Sequence, residues 1–387
     1  MSGLIVDKML VEKLMRIKED VMLDVARSIG REGVRKASSD WHARRRPIPC
    51  GLTIHTGVGC SYGCSYCYIY DMGFTSKPKP YPLSGSELVY ALSINPYFVP
   101  GFHGTLLAFG SVTEPFMRET LDRALEYLSY TRDLLGNPQQ VSTKTALKGN
   151  DFYRFVESVD PKIDVLVSIT TLRHWRVLEP GASPPEDRFR FMRELIETGL
   201  NATLFLRPIL PGVTDREADC ILELAVDNNV RRVVLGTLRV TPGILKRLGA
   251  TRIVDVREIK ARLPREPRNR RDQVIIRGRD LKETIAYKAR SLGLEVLPAS
   301  CSSNIASHQL ACAACNMGPC GDTSILPKAS IDGVEAVLEH AGIEPLRVSI
   351  GEYTVEYWYR GSRRNADIAN SWISSLLKRI PIPHQVN

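Results

Sequence analysis

Three cysteines lie close together in the segment GVGCSYGCSYCYIYDMGF. Cys60, Cys64 and Cys67 have the spacing C-x3-C-x2-C, which places three soft thiolate ligands on one short loop. A metal with four coordination positions would keep one position open on such a loop, as catalytic metal sites do. The short span favours three corners of an iron–sulfur cube. The alternative is a structural zinc whose fourth ligand comes from elsewhere in the chain.

A second group of cysteines, CSSNIASHQLACAACNMGPCGD, has the spacing C-x10-C-x2-C-x4-C. Its members are Cys301, Cys312, Cys315 and Cys320. Four cysteines within twenty residues of a reduced protein indicate a metal site rather than disulfides. Four thiolates suit structural zinc, and they also suit a second four-iron cluster, which we favour. His308, inside this group, is expected at the surface.

Two further cysteines stand outside these groups. Cys220 has apolar neighbours in a helical pattern, so we predict a buried structural thiol there. Cys50 directly precedes the β-rich run that begins at Gly51, and its role stays open.

The elements that must position the cysteine loops alternate regularly. Six β-rich runs begin at Gly51, Gly104, Gln139, Asp164, Ala202 and Arg232, and amphipathic stretches lie between them. This order predicts parallel strands joined by right-handed crossovers and covered on both faces. Six units are too few for a closed eightfold barrel. We therefore expect an α/β protein with an open, partial (βα)6 TIM-like barrel, whose chemistry lies at the carboxyl ends of the strands.

The regions on either side of the barrel have a different character. We predict an N-terminal helical extension over residues 1–47, the (βα)6 core over 48–249, and a C-terminal cysteine-containing α+β region over 250–387. In the last region we expect helices near 281–292, 332–341 and 366–379, a short strand EVLP, and an alternating aromatic strand from Tyr353.

The first cysteine loop, its place after the first strand and the six βα units resemble the radical S-adenosylmethionine (SAM) superfamily. The segments CSYCYIY, GSVTEP, STKT, SITT, LEPGASPPEDR and RPILPGVTD, in this order, are similar to its spore photoproduct lyase-like branch. The resemblance covers about residues 51–238. It implies SAM as a cofactor and a [4Fe-4S] cluster on Cys60, Cys64 and Cys67, and the superfamily often adds auxiliary clusters after the barrel.

The resemblance also implies an activity. An electron from a ferredoxin- or flavodoxin-like donor would cleave SAM at the cluster, and the resulting 5′-deoxyadenosyl radical would abstract hydrogen from a substrate. The cofactor-binding residues that it implies are Tyr66, Gly110, Ser111, Glu114, Lys144 and Ser168. Tyr66 and Tyr68 match tyrosines implicated in hydrogen transfer, so they are the predicted catalytic residues.

More specific contacts follow from the positions of these residues in the family. Lys144 and Ser168 would contact the SAM carboxylate, Glu114 its ammonium group, and Tyr66 would lie by the adenine. Each of these residues also has an alternative, purely structural role. Lys144 and Ser168 would otherwise be ordinary polar residues at strand ends, Glu114 an acid at a helix N-terminus, and the tyrosines packing residues.

One departure from the family pattern concerns the hydrogen donor. The lyase uses a cysteine in the stretch that corresponds to GSVTEP, whereas this chain has Ser111 there. A serine O–H bond is too strong to quench a carbon radical as a thiol does. We therefore expect a related enzyme with another substrate rather than a photoproduct lyase.

The charge distribution bears on the substrate. The chain has 52 Lys and Arg against 43 Asp and Glu, a net charge of +9. Thirteen basic and six acidic residues lie between Arg252 and Arg290, and we call this stretch the basic segment. Together with aromatic residues beside Arg360, it makes a nucleic acid such as tRNA a candidate substrate. The alternatives are a solvated basic surface and ordinary β-sheet packing.

Composition limits the class of protein. The 387 residues are 43% hydrophobic and 25% charged, which is typical of a globular protein and not of a disordered or fibrous one. No apolar run is long enough to cross a bilayer, so we predict a cytoplasmic protein with no membrane partner. The rival function is an iron–sulfur electron carrier, or a nucleic-acid-binding protein with structural clusters. The open three-cysteine loop favours the enzyme.

Overall fold

A seven-stranded parallel sheet forms the centre of the protein. The computed structural model describes residues 4–48 and 51–386. In spatial order the strands of this sheet are Gly51–Ile54, Leu106–Phe109, Gln139–Thr143, Asp164–Ser168, Asn201–Ile209, Arg232–Thr237 and Glu295–Leu297. Every neighbouring pair is parallel. The predicted parallel α/β core is therefore confirmed.

Amphipathic helices follow the strands and share one apolar core with them. The helices are Gly85–Ile94, Leu121–Leu135, Asn150–Ser158, Pro185–Glu197, Thr214–Asp227 and Arg279–Ser291. The first of them begins where the sequence dictates, because Ser84 and Glu87 form a capping box. Leu128, Phe155 and Leu222 represent the helical side of this core.

The strand Glu295–Leu297 makes the sheet larger than predicted. It was expected as a short strand in the C-terminal region, but it pairs with Arg232–Thr237 and forms an edge of the sheet. The basic segment, residues 252–290, interrupts the βα alternation before it, so the repeat could not be followed along the chain. The sheet thus draws on residues from both sides of position 249.

The predicted N-terminal extension is a long helix, Lys8–Ser39. It starts at Asp7, whose carboxylate accepts a hydrogen bond from the Leu10 amide at 2.8 Å. Gly30, with φ of 65°, kinks it. The helix packs against Gly85–Ile94 of the core and Ile331–His340 of the C-terminal region. The 3-10 turn Trp41–Ala43 follows it, and a short strand, Ile5–Val6, pairs with Lys328–Ala329.

The C-terminal region contains a three-stranded sheet and two helices. The strands are Glu344–Ile350, Thr354–Arg360 and Ile380–Gln385, and the helices are Ile331–His340 and Arg363–Leu376. The predicted alternation is confirmed, because Val355, Tyr357 and Tyr359 are buried while the residues between them are partly exposed. These two buried tyrosine rings belong to the core of this region, so the packing alternative describes them better than base stacking.

Several short strands and helices lie outside the two larger sheets and the main helices. The antiparallel pairs are Gly57–Val58 with Lys79–Pro80 and Arg239–Val240 with Val274–Ile275. The short helices are Trp175–Leu178, Pro242–Thr251, Val256–Ala261 and Ser300–Ser307, with a 3-10 turn at Thr323–Ile325. No helix in the described ranges combines the length and apolarity that a bilayer crossing requires.

Candidate functional site

A cavity of about 540 Å³ opens at the carboxyl ends of the parallel strands. Its lining includes all residues of the predicted catalytic site: Cys60, Cys64, Tyr66, Cys67, Tyr68, Gly110, Ser111, Glu114, Lys144 and Ser168. Carboxyl ends of neighbouring parallel strands meet at one edge of a sheet, so residues far apart in sequence come together there. The roles assigned to these residues stay predictions, but the structure supports their grouping.

The first cysteine loop is held by its own backbone. The Cys60 amide donates to the Thr75 carbonyl at 3.1 Å, and the Cys67 amide donates to the Cys64 carbonyl at 3.0 Å. Gly59 has φ of 87°, and a side chain there would collide with the Thr75 backbone, so glycine is required. Burial raises the pKa of the Cys60 thiol to about 11 and that of Cys64 well above its usual range. Metal loading must therefore displace protons.

Arg247, on the helix Pro242–Thr251, fastens this loop from outside the cavity. Its guanidinium donates to the Cys67 carbonyl at 2.7 Å, to the Ser65 carbonyl at 3.2 Å and to the Asp71 carboxylate at 2.8 Å. Thr241 also donates to Asp71, at 2.5 Å. The sequence analysis missed this role, because about 180 residues separate Arg247 from the loop and only the basic charge marked it.

A buried charge network lies beside Tyr66. The Glu179 carboxylate accepts a short hydrogen bond from the Tyr66 hydroxyl and one from Arg188 at 2.6 Å. The side chains of Glu179 and Arg188 have no solvent exposure. Burial alone would raise the pKa of Glu179, but Arg188 and Lys144 outweigh it and lower that pKa to about 2. Glu179 is therefore ionised at neutral pH.

Arg188 also holds the surrounding backbone. It donates to the Ser168 carbonyl at 2.6 Å and to the Ser183 carbonyl at 2.7 Å. From the sequence, Glu179 had no predicted role beyond its place in the segment LEPGASPPEDR. The sequence signal for the ion pair was that Glu179 and Arg188 lie nine residues apart, on either side of a Pro-Pro pair. That spacing does not show that the two side chains are buried.

Lys144 lines the large cavity, so its ammonium group could contact an anion bound there. Its ammonium lies 3.7 Å from a Glu179 oxygen and 5.6 Å from the centre of the Tyr66 ring. Burial and the Glu179 carboxylate raise the pKa of Tyr66, so its hydroxyl stays protonated. The predicted cofactor-binding residues Lys144 and Tyr66 thus contact a common buried carboxylate.

Glu114 is buried and already hydrogen-bonded. Its carboxylate accepts from the Thr143 hydroxyl at 2.5 Å and from the Lys144 amide at 2.8 Å. Burial raises its pKa, although these hydrogen bonds oppose that shift. Gly110, at the end of Leu106–Phe109, has φ of 94°, and a side chain there would collide with the Ser142 carbonyl. Close packing of two strand ends therefore fixes this part of the cavity wall.

Tyr68 and Ser111 contact each other across the cavity rim. The Tyr68 hydroxyl donates to the Ser111 carbonyl at 2.9 Å, and Ser111 is exposed. Tyr66, by contrast, is buried and also lies 3.1 Å from the Thr170 hydroxyl. The two predicted catalytic tyrosines thus differ in setting, since one is fixed inside a polar network and the other lies at the rim.

The four cysteines of the second group lie around a second cavity. Cys301, Cys312, Cys315 and Cys320 line one small cavity below the helix Ser300–Ser307. Burial, together with the three neighbouring thiols, raises the pKa of Cys301 to about 12. Among the described residues, no three His, Cys, Asp or Glu side chains meet in an arrangement that could hold a single metal ion.

Two predictions about isolated residues are wrong. Cys220 is exposed on the helix Thr214–Asp227, because its apolar neighbours Ile221 and Leu222 occupy the buried face and Cys220 does not. His308 is buried rather than at the surface. Its ring packs against Phe102 and lies 3.5 Å from an Asp160 oxygen, and both come from distant segments. Cys50 lies outside the described residues.

Basic residues surround the mouth of the large cavity. Arg207 and Arg239 line it, together with Gln273 from the basic segment. Arg270 of the same segment donates to the Tyr70 carbonyl at 2.7 Å, next to the first cysteine loop. Five of the six acidic residues in the segment pair with arginines of that segment.

Comparisons with known proteins connect this arrangement to a superfamily. No family model matches the chain. It is 25% identical over 195 residues to a radical SAM Nα-GlyT isomerase of Pseudomonas phage M6, which covers 43% of this chain and 34% of the relative. It is 26% identical over 187 residues to an uncharacterised protein of Acidianus two-tailed virus, covering 43% of this chain and 58% of the relative. The matches thus span from about a third to just over half of these relatives.

Solved structures show the same fold. A double mutant of spore photoproduct lyase with bound AdoMet and dinucleoside spore photoproduct superposes with a TM-score of 0.54 and 16% identity. It covers 68% of this chain and 83% of that one. The resemblance to the radical SAM superfamily, and to the fold of its spore photoproduct lyase-like branch, is confirmed. The prediction of an enzyme agrees with these similarities.

The buried pair beside the cavity leads to a stability prediction. Arg188→Met should lower the free energy of unfolding by about 3–5 kcal/mol, because Glu179 would remain buried without its partner. Arg190→Met is the matched control, since Arg190 lies on the same helix with its side chain 55% exposed. Urea unfolding of the three proteins measures the difference. Equal losses in the two variants would contradict the structural role of the pair.

Proposed function

We propose that the protein is a radical SAM enzyme. The observation that carries this proposal is the grouping of three thiols, Lys144 and Ser168 around one cavity at the strand ends. The donor set fits a [4Fe-4S] cluster with one open iron, because Cys60, Cys64 and Cys67 come from one loop and face a space large enough for a further ligand. When bound, cluster and SAM supply reductive cleavage and a 5′-deoxyadenosyl radical for hydrogen abstraction.

The residues of the chain would bind and orient the cofactor. The Lys144 ammonium and the Ser168 hydroxyl are suited to a carboxylate, and Glu114 is suited to an ammonium group. Glu179 holds Tyr66 at the wall through a hydrogen bond. Apolar lining from Ile69 and Leu238 limits water near the reacting atoms.

The rival function, an electron carrier or a protein with structural clusters only, is less well supported. A carrier normally binds its cluster through a full set of four cysteines, as the second group would. The first group has three cysteines and opens into a cavity of about 540 Å³ that is lined by both polar and apolar side chains. An electron carrier has no need of such a cavity, whereas an enzyme does.

A nucleic acid is the substrate class that we propose. The support is electrostatic: Arg207 and Arg239 at the cavity, and the basic segment beside it, would neutralise phosphates. Ser111 in place of the cysteine that the photoproduct lyases use points to a reaction other than photoproduct repair. A ferredoxin- or flavodoxin-like protein is the proposed electron donor.

The proposed activity is tested directly by product formation. Anaerobically reconstituted protein with dithionite should convert SAM to 5′-deoxyadenosine and methionine, as measured by chromatography. Replacement of Cys60, Cys64 and Cys67 by Ala should abolish this conversion, whereas Cys220→Ala should leave it unchanged, because Cys220 is exposed on an outer helix. Conversion by the triple variant at the wild-type rate would refute the proposal.

The cofactor pocket is tested by SAM affinity. Lys144→Ala should weaken SAM binding by about 1.5–3 kcal/mol, the value of one charge-assisted hydrogen bond. Iron content should not change. Lys148→Ala is the control, since Lys148 is 59% exposed and paired with Asp187. If calorimetry finds the same affinity for wild type and Lys144→Ala, Lys144 does not belong to the SAM site.

The substrate class is tested by the salt dependence of binding. The double variant Arg207→Gln/Arg239→Gln should reduce the magnitude of the slope of log K against log salt for a short oligonucleotide by about 1–2. Binding would then neutralise fewer phosphates, and fewer counterions would be released from the oligonucleotide. Arg27→Gln/Arg154→Gln is the control, since both arginines lie outside the basic segment and already pair with neighbouring carboxylates. Fluorescence anisotropy measures the slopes. Identical slopes for both double variants and wild type would remove the cavity arginines from a nucleic-acid interface.

A further inference from the structure

Four cysteines lie around a cavity that is separate from the catalytic one. Apart from Cys301, Cys312, Cys315 and Cys320, its lining is mostly apolar and includes Leu106, Ile305 and Met317. Cys312 and Cys320 are joined as an antiparallel bridge, with amide-to-carbonyl distances of 2.9 and 2.8 Å. Seven residues between them form a closed loop that carries Cys315. The backbone hydrogen bonds thus hold Cys312, Cys315 and Cys320 in one loop. Residues 313–316 of this loop include no large apolar side chain.

Lys378 indicates the charge of the group that belongs there. Its side chain lines this cavity and is only 3% exposed. Among the described residues its ammonium donates one long hydrogen bond, to the Gly104 carbonyl at 3.4 Å. A buried ammonium with so little compensation is costly, unless an anionic group lies opposite. Four thiolates around a four-iron cube are negative overall, and they would supply that anion.

Four thiolates suit either a single zinc ion or a four-iron cluster, and the two differ in how close the sulfur atoms must lie. A zinc ion with four thiolates at about 2.3 Å would hold all the sulfur atoms within about 4 Å of one another. No such convergence occurs among the described cysteines, histidines and carboxylates. A four-iron cube keeps its cysteine ligands farther apart, because irons and sulfides lie between them.

The helix Ser300–Ser307 joins the two cavities. Ser300 and Gln140 line the large cavity, whereas Cys301, the next residue, lines the small one. The Gln140 amide donates to the Ser300 carbonyl at 2.7 Å and to the Ser303 hydroxyl at 2.9 Å. Asn304 donates to the Gln139 carbonyl at 2.9 Å. The helix is thus fixed to the strand Gln139–Thr143 and forms part of the floor of the catalytic cavity.

We propose that Cys301, Cys312, Cys315 and Cys320 hold a second four-iron cluster, and that this cluster orders the helix that forms the floor of the catalytic cavity. The Lys378 ammonium compensates the negative charge of this cluster, since Lys378 lines the same cavity. The second cluster does not exchange atoms with the substrate, because all four of its protein ligands are cysteines. Its role is to fix Ser300 and Gln140 in the cavity floor, and this role does not depend on SAM cleavage.

Metal analysis tests the site. Anaerobically reconstituted wild type should contain about eight irons per chain, and Cys312→Ala/Cys315→Ala about four. The triple variant at Cys60, Cys64 and Cys67 should also keep about four, even if the proposed SAM chemistry fails. Cys220→Ala is the matched control and should keep about eight. Equal metal content in wild type and the double variant would refute the site, and four irons with one zinc in wild type would refute the cluster.

Hydrogen exchange tests the ordering role. Amides of Ser300–Ser307 should exchange at least about tenfold faster in the double variant than in wild type, whereas those of Leu121–Leu135 should not change. Unchanged exchange in Ser300–Ser307 after iron loss would overturn the ordering role. If the double variant does not fold, Cys315→Ser provides the same comparison, since Cys315 is only partly buried. In addition, Lys378→Met should shift the reduction potential of the second cluster to a more negative value, and an unchanged potential would overturn the role of Lys378.

Discussion

The cavity end of the central sheet depends on one buried ion pair, Glu179 with Arg188. Neither side chain is exposed, so both charges have lost their hydration, and the protein replaces it with hydrogen bonds. Arg188 fixes the carbonyls of Ser168 and Ser183, and Glu179 fixes Tyr66. The same segment holds the cysteine loop, since the Ser65 amide donates to the Leu178 carbonyl. The end of the strand Asp164–Ser168, Tyr66 and the first cysteine loop are therefore all held by one buried ion pair.

Much of the core could be predicted because its sequence signals are local. A strand such as Asp164–Ser168 is buried along its whole length, and its central residues 165–167 are all apolar. The edge strand Glu295–Leu297 was assigned to the wrong part of the fold, because its pairing with Arg232–Thr237 depends on tertiary contacts across a long insertion. Local patterns predict that a strand exists, but they do not say which neighbour it joins.

The site shows the same division between local and long-range information. The cysteine spacing and the strand-end residues Lys144 and Ser168 could be found from the sequence, because the topology brings strand ends together. Arg247 and Arg188 could not be assigned, since their importance comes from burial and from carbonyl acceptors far away in the chain. His308 illustrates the converse error, because Phe102 and Asp160 cover a residue that the sequence left exposed.

The central sheet does not close on itself. Gly51–Ile54 and Glu295–Leu297 are its two edge strands, and in the described part of the chain they are not hydrogen-bonded to each other. A closed barrel admits ligands only along its axis, whereas a sheet with a lateral gap leaves one side of the cavity free of a continuous wall. For a linear polymer this geometry has a topological consequence. A polymer bound between the two edge strands would place an interior unit at the cavity, and it would need no free end to enter.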